Sequence, residues 1–105
     1  MICVEFSGNS DNITGFEVSG HAGYDEYGRD IVCAAVSALA TNTANSIEQF
    51  TEDDMTVDVD EKTGLLRLTM TSTISDSSKL LLKSFKLGIE SIEQAYGSEI
   101  VNILN

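Results

Sequence analysis

His21 and Cys33 are the side chains of this 105-residue chain whose chemistry best suits catalysis. His21 is the only histidine in the sequence, and Cys33 is one of its two cysteines. A thiolate is a strong nucleophile, and a neighbouring imidazole can accept the thiol proton and later pass it to a leaving group. The pair therefore has the residue types of a cysteine protease, provided that the fold brings the side chains together and supplies donors for an oxyanion.

The segment that leads from His21 to Cys33 predicts a loop between a strand and a helix. Residues 13–19 are expected to form the strand, and the glycines that follow would let the loop close over a peptide. Tyr24 and Tyr27 are available for apolar contacts to a substrate side chain. The predicted mobile loop contains Gly20, Gly23, Tyr24 and Gly28.

Asp30 is the predicted N-cap of the helix, which places Cys33 in the first helical turn. Unpaired N–H groups and the helix dipole favour a thiolate there, and the same groups can serve an oxyanion. A second role for Asp30 is to orient His21 as the third member of a triad; we favour the cap, with a secondary role at the site. Ser37 follows Cys33 by one turn, where its hydroxyl either hydrogen-bonds near the site or bonds back to the helix backbone.

The residues alone leave a structural interpretation of both side chains open. A cysteine in an alanine-rich helix is often a small core residue, and a histidine after a strand is usually a surface or capping residue. Cys3 lies near the N-terminus without a basic neighbour and is interpreted as structural or incidental. One histidine and two cysteines form no recognisable zinc pattern, so we predict neither a metal nor another cofactor.

The composition narrows the class of protein and its partners. A chain of 105 residues is expected to form one domain over residues 1–105. The formal net charge of -11 argues against nucleic acid and anionic membranes and is compatible with a basic partner. The N-terminal MICVEFS lacks the pattern of a signal peptide, and no apolar run is long enough for a membrane helix, so we predict a cytoplasmic protein.

Hydrophobic periodicity predicts the element order β-β-α-β-β-α-β. Alternation in residues 2–7, 13–19, 55–59 and 66–70 is typical of half-buried strands, and residues 99–104 form the last strand. The fold class is therefore α+β: a two-layer α/β sandwich in which two helices cover one face of a largely antiparallel sheet. The first hairpin has a five-residue connection over residues 8–12, and the second turns through DEKTG. The predicted core stripe of the second helix is Leu81, Phe85, Ile89, Ile92 and Tyr96.

Three stretches together form a specific motif: GHAGY at Gly20–Tyr24, then Gly28, then DIVCAAVSAL at Asp30–Leu39. This order of a histidine, a glycine-rich loop and a cysteine at the start of an alanine-rich helix resembles the ribosomal-processing cysteine protease (Prp) family of bacteria. The resemblance extends over the ITGFEVSGHAG approach, the acidic middle hairpin and the closing helix, and so over essentially the whole chain.

The resemblance implies a function for the motif. It makes His21 the base and Cys33 the nucleophile of an endopeptidase that removes an N-terminal extension from the precursor of ribosomal protein L-twenty-seven. The family's cleavage site follows a hydrophobic, phenylalanine-containing stretch and exposes a basic tail, which an acidic enzyme would attract. The resemblance also implies a small two-layer domain that forms homodimers.

Two other functions remain as alternatives at this point. An acidic assembly factor could hold a basic ribosomal protein without performing chemistry, and charge alone does not separate it from the protease. A thiol sensor could use Cys33, although the lack of a CxxC pair weakens that reading.

Overall fold

The structure is a computed structural model that describes residues 1–20 and 27–104, with side chains described for residues 1–20 and 31–104. Its elements follow the predicted order. They are β1 (Ile2–Asn9), β2 (Asn12–Ser19), α1 (Tyr27–Phe50), β3 (Met55–Asp60), β4 (Leu65–Met70), α2 (Asp76–Tyr96) and β5 (Val101–Leu104).

The five strands form one sheet in the order β3-β4-β2-β1-β5. Three neighbouring pairs are antiparallel, and only β5 runs parallel to its neighbour β1. Alternate residues of β1 and β2 are buried, and α2 packs on β2 and β5 and against α1. The predicted two-layer α+β sandwich with a largely antiparallel sheet is therefore confirmed.

The aromatic centre of the core joins the sheet to α2. The ring centroids of Phe16 and Phe85 lie 4.1 Å apart, and those of Phe6 and Phe85 lie 5.8 Å apart. The predicted stripe of α2 is correct for Phe85 and Ile89, which are buried, but wrong for Tyr96, which is 44% exposed. Tyr96 is the last residue of α2, and a side chain at a helix end has neighbours on one side only.

The β1–β2 hairpin is tighter than the sequence predicts. Both strands extend into the expected five-residue connection, so that Asn9 pairs with Asn12 across a two-residue turn. The side chain of Asn9 makes this possible, because its Oδ1 accepts from the N–H of Asp11 at 3.1 Å and of Asn12 at 3.0 Å.

Helix α1 begins earlier than predicted, and this corrects three expectations. Its first residue is Tyr27, so Asp30 lies inside the helix and is not its N-cap. Gly28 also lies in the helix and not in the loop. Cys33 is consequently in the second turn, beyond the free N–H groups that the sequence analysis assigned to it.

A network of hydroxyls around Asp53 ties the end of α1 to the start of α2. Ser75 is the N-cap of α2, and its Oγ accepts from the N–H of Ser78 at 3.3 Å. Asp53 Oδ2 in turn accepts from the Ser75 hydroxyl at 2.7 Å and from the Ser75 N–H at 2.9 Å. The Ser78 hydroxyl lies 3.4 Å from that of Thr51, the residue after α1. Residues 51–54 are thereby held between the two helices.

Asp53→Asn is expected to lower the free energy of unfolding at neutral pH. In acid, the variant and the unaltered chain should be about equally stable. The hydroxyls of Ser78 and Ser75, with the Ser75 N–H, hold the pKa of Asp53 below its ordinary value of 3.8. Because the folded-state pKa is the lower one, the stabilisation is present above the unfolded-state pKa and disappears as the pH falls through the folded-state pKa. Denaturant unfolding of both proteins at about pH 7 and about pH 2.5 measures the difference.

The matched control for this prediction is Asp54→Asn. The Asp54 carboxylate makes no hydrogen bond within the described part of the chain, so its replacement should change stability little at either pH. Equal destabilisation by Asp53→Asn at both pH values would contradict the proposed role of the charge.

Candidate active site

A cleft of about 330 Å³ opens at the end of the sheet where β2 ends and the β3–β4 hairpin turns. This volume is within the range of small-molecule and side-chain binding sites. The start of β1, the end of β2, one side of α1 and the β3–β4 hairpin contribute to it. Its lining residues are Ile2, Val18, Gly20, Cys33, Val36, Ser37, Ala40, Thr41, Val59, Asp60, Glu61, Gly64, Leu65 and Leu66.

Cys33 lines this cleft from α1 and packs at the margin of the hydrophobic core. Its residue is partly buried and its thiol is free. The residues before and after it on the helix explain the position: Val32 and Val36 are buried at 0% and 1% exposure, which anchors α1 to the sheet. Cys33 is therefore held in a fixed place with access to the cleft, as a nucleophile requires.

Gly20 lines the same cleft from the end of β2, directly before His21 in the chain. Its φ of +83° is a conformation that favours glycine, and a Cβ there would lie 2.5 Å from the carbonyl oxygen of Met1. Another residue would move either β1 or the chain that leaves β2. Gly20 thus fixes the backbone at the end of β2. His21, Gly23 and Tyr24 lie outside the described residues.

Ser37 lies one turn after Cys33 and also lines the cleft. Of the two roles predicted for its hydroxyl, the bond back to the helix backbone is not made in the described part of the chain. Thr43 makes such a bond, donating to the Leu39 carbonyl at 2.8 Å. The exposed Ser37 hydroxyl is instead available to a molecule in the cleft.

The β3–β4 hairpin supplies the wall of the cleft that sequence reasoning missed. Asp60 and Glu61 stand at its turn, and Leu65 and Leu66 follow at the start of β4. Gly64 has a φ of +68°, a conformation that favours glycine and suits the hairpin turn. The acidic turn could be recognised in the sequence. Because it is far from Cys33 along the chain, nothing in the sequence indicated that it lies at the same cleft. The site therefore combines apolar walls with an acidic rim.

Cys3 lies on the other face of the sheet from Cys33. Its neighbours Ile2 and Val4 are buried beneath the helices, so the alternation of β1 turns Cys3 away from them. It pairs with Ser19 in β2 and with Asn102 in β5. The sheet separates the two thiols, and both cysteines are free.

The described residues contain no group of three or more His, Cys, Asp or Glu placed to hold a metal ion. Within the same part of the chain, no helix is both long and apolar enough to cross a membrane.

Comparison with known proteins places the chain in a family. The profile of the family described as cysteine protease Prp matches residues 1–101. The ribosomal processing cysteine protease Prp of Staphylococcus aureus is 31% identical over 101 residues, which are 95% of each chain. That of Bacillus subtilis is 27% identical over 88 residues, covering 80% of this chain and 79% of the relative.

Solved structures give the same result at the level of the fold. The S. aureus Prp protease in complex with a substrate peptide superposes with a TM-score of 0.87 at 29% identity, over 98% of this chain and 97% of the other. The same protease with a covalently linked product peptide gives a TM-score of 0.86 at 28% identity, over 99% and 98% of the two chains. A chain with this fold, a cysteine at the cleft and a family match over nearly its whole length belongs to the Prp family of ribosomal-processing cysteine proteases.

Proposed function

We propose that this protease removes the N-terminal extension from the precursor of ribosomal protein L-twenty-seven, with Cys33 as nucleophile and His21 as base. The observation that carries the proposal is the shared cleft: Cys33 lines it from α1, and Gly20, one residue before His21, lines it from β2. The substrate-peptide and product-peptide complexes of the S. aureus relative support a peptide as the occupant of the cleft.

The proposed mechanism has two chemical steps at Cys33. His21 accepts the thiol proton, and the Cys33 sulfur attacks the scissile carbonyl carbon to form a tetrahedral oxyanion. The C–N bond then breaks as the imidazolium protonates the leaving amine, and a thioester to Cys33 remains. His21 next removes a proton from water, whose oxygen attacks the thioester. The C–S bond breaks, the new carboxyl-terminus leaves, and the proton returns to the thiol.

Asp30 and Ser37 are proposed as supporting residues. Because Asp30 lies inside α1, one turn before Cys33, the capping role is gone and the orientation of His21 is the role that we propose for it. Ser37 is proposed to donate its hydroxyl to the bound peptide from the wall of the cleft. Closure of the loop through Gly23 and Tyr24 over the peptide stays a prediction.

The cellular setting of this reaction is part of the same proposal. We place the enzyme in the cytoplasm as a homodimer, the assembly that the family resemblance implies. On the outer side of the helices, Ile31 is 47% exposed and Leu87 is 66% exposed, and Ala34 and Ala38 are exposed beside Ile31 on α1. These small and apolar side chains would let a second subunit approach closely.

The proposal is tested by incubating the protein with a peptide that spans the extension and the first mature residues of L-twenty-seven. Mass spectrometry is expected to find two products whose masses define a single cut at the end of the extension. An uncut peptide would contradict the proposed function if a separate sample of the same protein, labelled with iodoacetamide without peptide, shows that the Cys33 thiol is reduced and accessible.

Cleavage of this basic peptide is expected to weaken as salt rises. The chain carries a net charge of -11, and Asp60 and Glu61 stand at the cleft, so encounter with a cationic peptide is accelerated at low ionic strength. Between about 50 mM and about 500 mM salt, kcat/KM should fall roughly tenfold while kcat stays constant. A peptide with neutral residues in place of its lysines and arginines is the control, and an equal salt response of both peptides would exclude charge steering.

A further inference from the structure

Two valines of β3 form an apolar surface beside the cleft. Val57 pairs with Leu68, and Val59 pairs with Leu66. Because Leu68 is buried in the core and Leu66 packs against that core, both valines lie on the helix-facing side of the sheet. They are nevertheless open to solvent, Val57 at 39% and Val59 at 62% exposure. We call these two residues the β3 strip.

The exposure of the β3 strip has a geometric cause. β3 is the outermost strand of the sheet, and α2 packs on β2 and β5, away from it. Met55 at the start of β3 packs against the core, whereas Val57 and Val59, nearer the hairpin turn, are exposed. Val59 lines the cleft opposite the residues of α1, so a trough lies between α1 and this part of β3.

The trough is continuous with the cleft that contains Cys33. Val59 lines the cleft together with Cys33, Ser37 and Thr41 of α1. Val57 is the next residue of β3 on the same side and carries the apolar surface onward from the cleft. A peptide that leaves the cleft along the trough would meet the β3 strip first.

We propose that the β3 strip binds apolar side chains of the peptide substrate, which lies extended between α1 and β3. This inference rests on the proposed function, because it needs a peptide whose scissile bond is at Cys33. Alternate residues of a strand are separated by about 6.6–7 Å, and alternate side chains of an extended peptide have the same spacing. The substrate class that fits is therefore a peptide with apolar residues two positions apart, and the strip is a specificity determinant for them.

The test measures peptide binding to the Cys33→Ala protein, which keeps the substrate uncut. The probe is a fluorescein-labelled peptide that spans the extension and first mature residues of L-twenty-seven, and its Kd is read by fluorescence anisotropy. The double variant Val57→Thr, Val59→Thr keeps the β-branched shape and the strand propensity. It is expected to raise Kd about tenfold, since each lost apolar contact weakens binding severalfold. With Cys33 intact, the same variant should raise KM, leave kcat unchanged and leave the iodoacetamide rate unchanged.

The control is the reverse exchange on the other face of the same strand. Thr56 is exposed and pairs with Thr69 on the open side of the sheet, so Thr56→Val should leave Kd unchanged. A second peptide, with its apolar residues replaced by serine, should bind weakly to both proteins, without further loss in the double variant. An unchanged Kd in the double variant, equal losses for the two peptides, or no binding of the first peptide would each overturn the inference.

The two proposals fail separately. Cleavage at the expected bond with an unchanged Kd would refute the β3 strip and leave the protease function intact. A peptide that binds through the strip but is never cut would refute the function and not the binding surface.

Discussion

Cys33→Ala is expected to abolish cleavage of the L-twenty-seven precursor peptide. Removing the nucleophile of a covalent protease leaves no route to the thioester, and the rate should fall by a factor on the order of 10⁴–10⁶. Product is measured by mass spectrometry over several hours at an enzyme concentration that cuts all the peptide with the unaltered chain. The fold should survive, because Cys33 is only partly buried and alanine is well tolerated in a helix.

The matched control for this loss is Cys3→Ala. It removes the other thiol of the chain, which lies on the opposite face of the sheet, so kcat/KM should stay within about twofold of the unaltered value. Circular dichroism and thermal unfolding of both variants show whether each is folded. Full cleavage by the folded Cys33→Ala protein would contradict the proposed mechanism, in which Cys33 is the nucleophile. If neither the unaltered chain nor Cys33→Ala cut the precursor but both bound it equally tightly, the acidic assembly factor would become the better description.

His21→Ala is expected to produce the second-largest loss of cleavage activity, after Cys33→Ala. General acid–base catalysis by a positioned imidazole contributes about 10²–10⁴-fold, so kcat/KM should fall within that range. Iodoacetamide alkylation of Cys33 separates a catalytic role of His21 from a structural one, because a structural role would leave the reactivity of the thiol unchanged. If His21 takes the thiol proton, iodoacetamide should alkylate Cys33 faster at neutral pH in the unaltered chain than in His21→Ala.

The contrary outcome for His21 is equally specific. A variant that loses cleavage but keeps the alkylation rate of the unaltered chain would indicate that His21 acts on the loop and the bound peptide. In that case His21 would not act on the Cys33 thiol. Identical cleavage and identical alkylation in both proteins would remove His21 from the site altogether.

The elements of this fold could be predicted from local pattern because each one has a periodic apolar face. Ile2, Val4 and Phe6 alternate along β1 and all three are buried, as a half-buried strand requires. Phe85 and Ile89 are likewise the buried face of α2. Such periodicity can be recognised in the sequence alone, because it reflects which side of an element faces the core.

Element ends were less predictable, because competing local signals have similar strength. Asp30 is a good N-cap residue, but the helix continues back to Tyr27. Asn9 closes a two-residue turn with its own side chain, where a composition of turn residues suggested a longer loop. In both places the boundary lies a few residues from its predicted position, and the order of elements is unchanged.

The sequence by itself determined the family and the two-layer α+β architecture, and it singled out Cys33 as the candidate nucleophile. It could do so because the His21–loop–Cys33 motif and the apolar periodicity are both local. Only the tertiary structure decided that the β3–β4 hairpin, about thirty residues after Cys33, walls the cleft and leaves Val57 and Val59 exposed. That arrangement depends on strand order and on where two helices rest on five strands, which no local pattern encodes. The candidate catalytic residues thus lie in one short segment, whereas the cleft beside Cys33 is assembled from β1, β2, α1 and the β3–β4 hairpin.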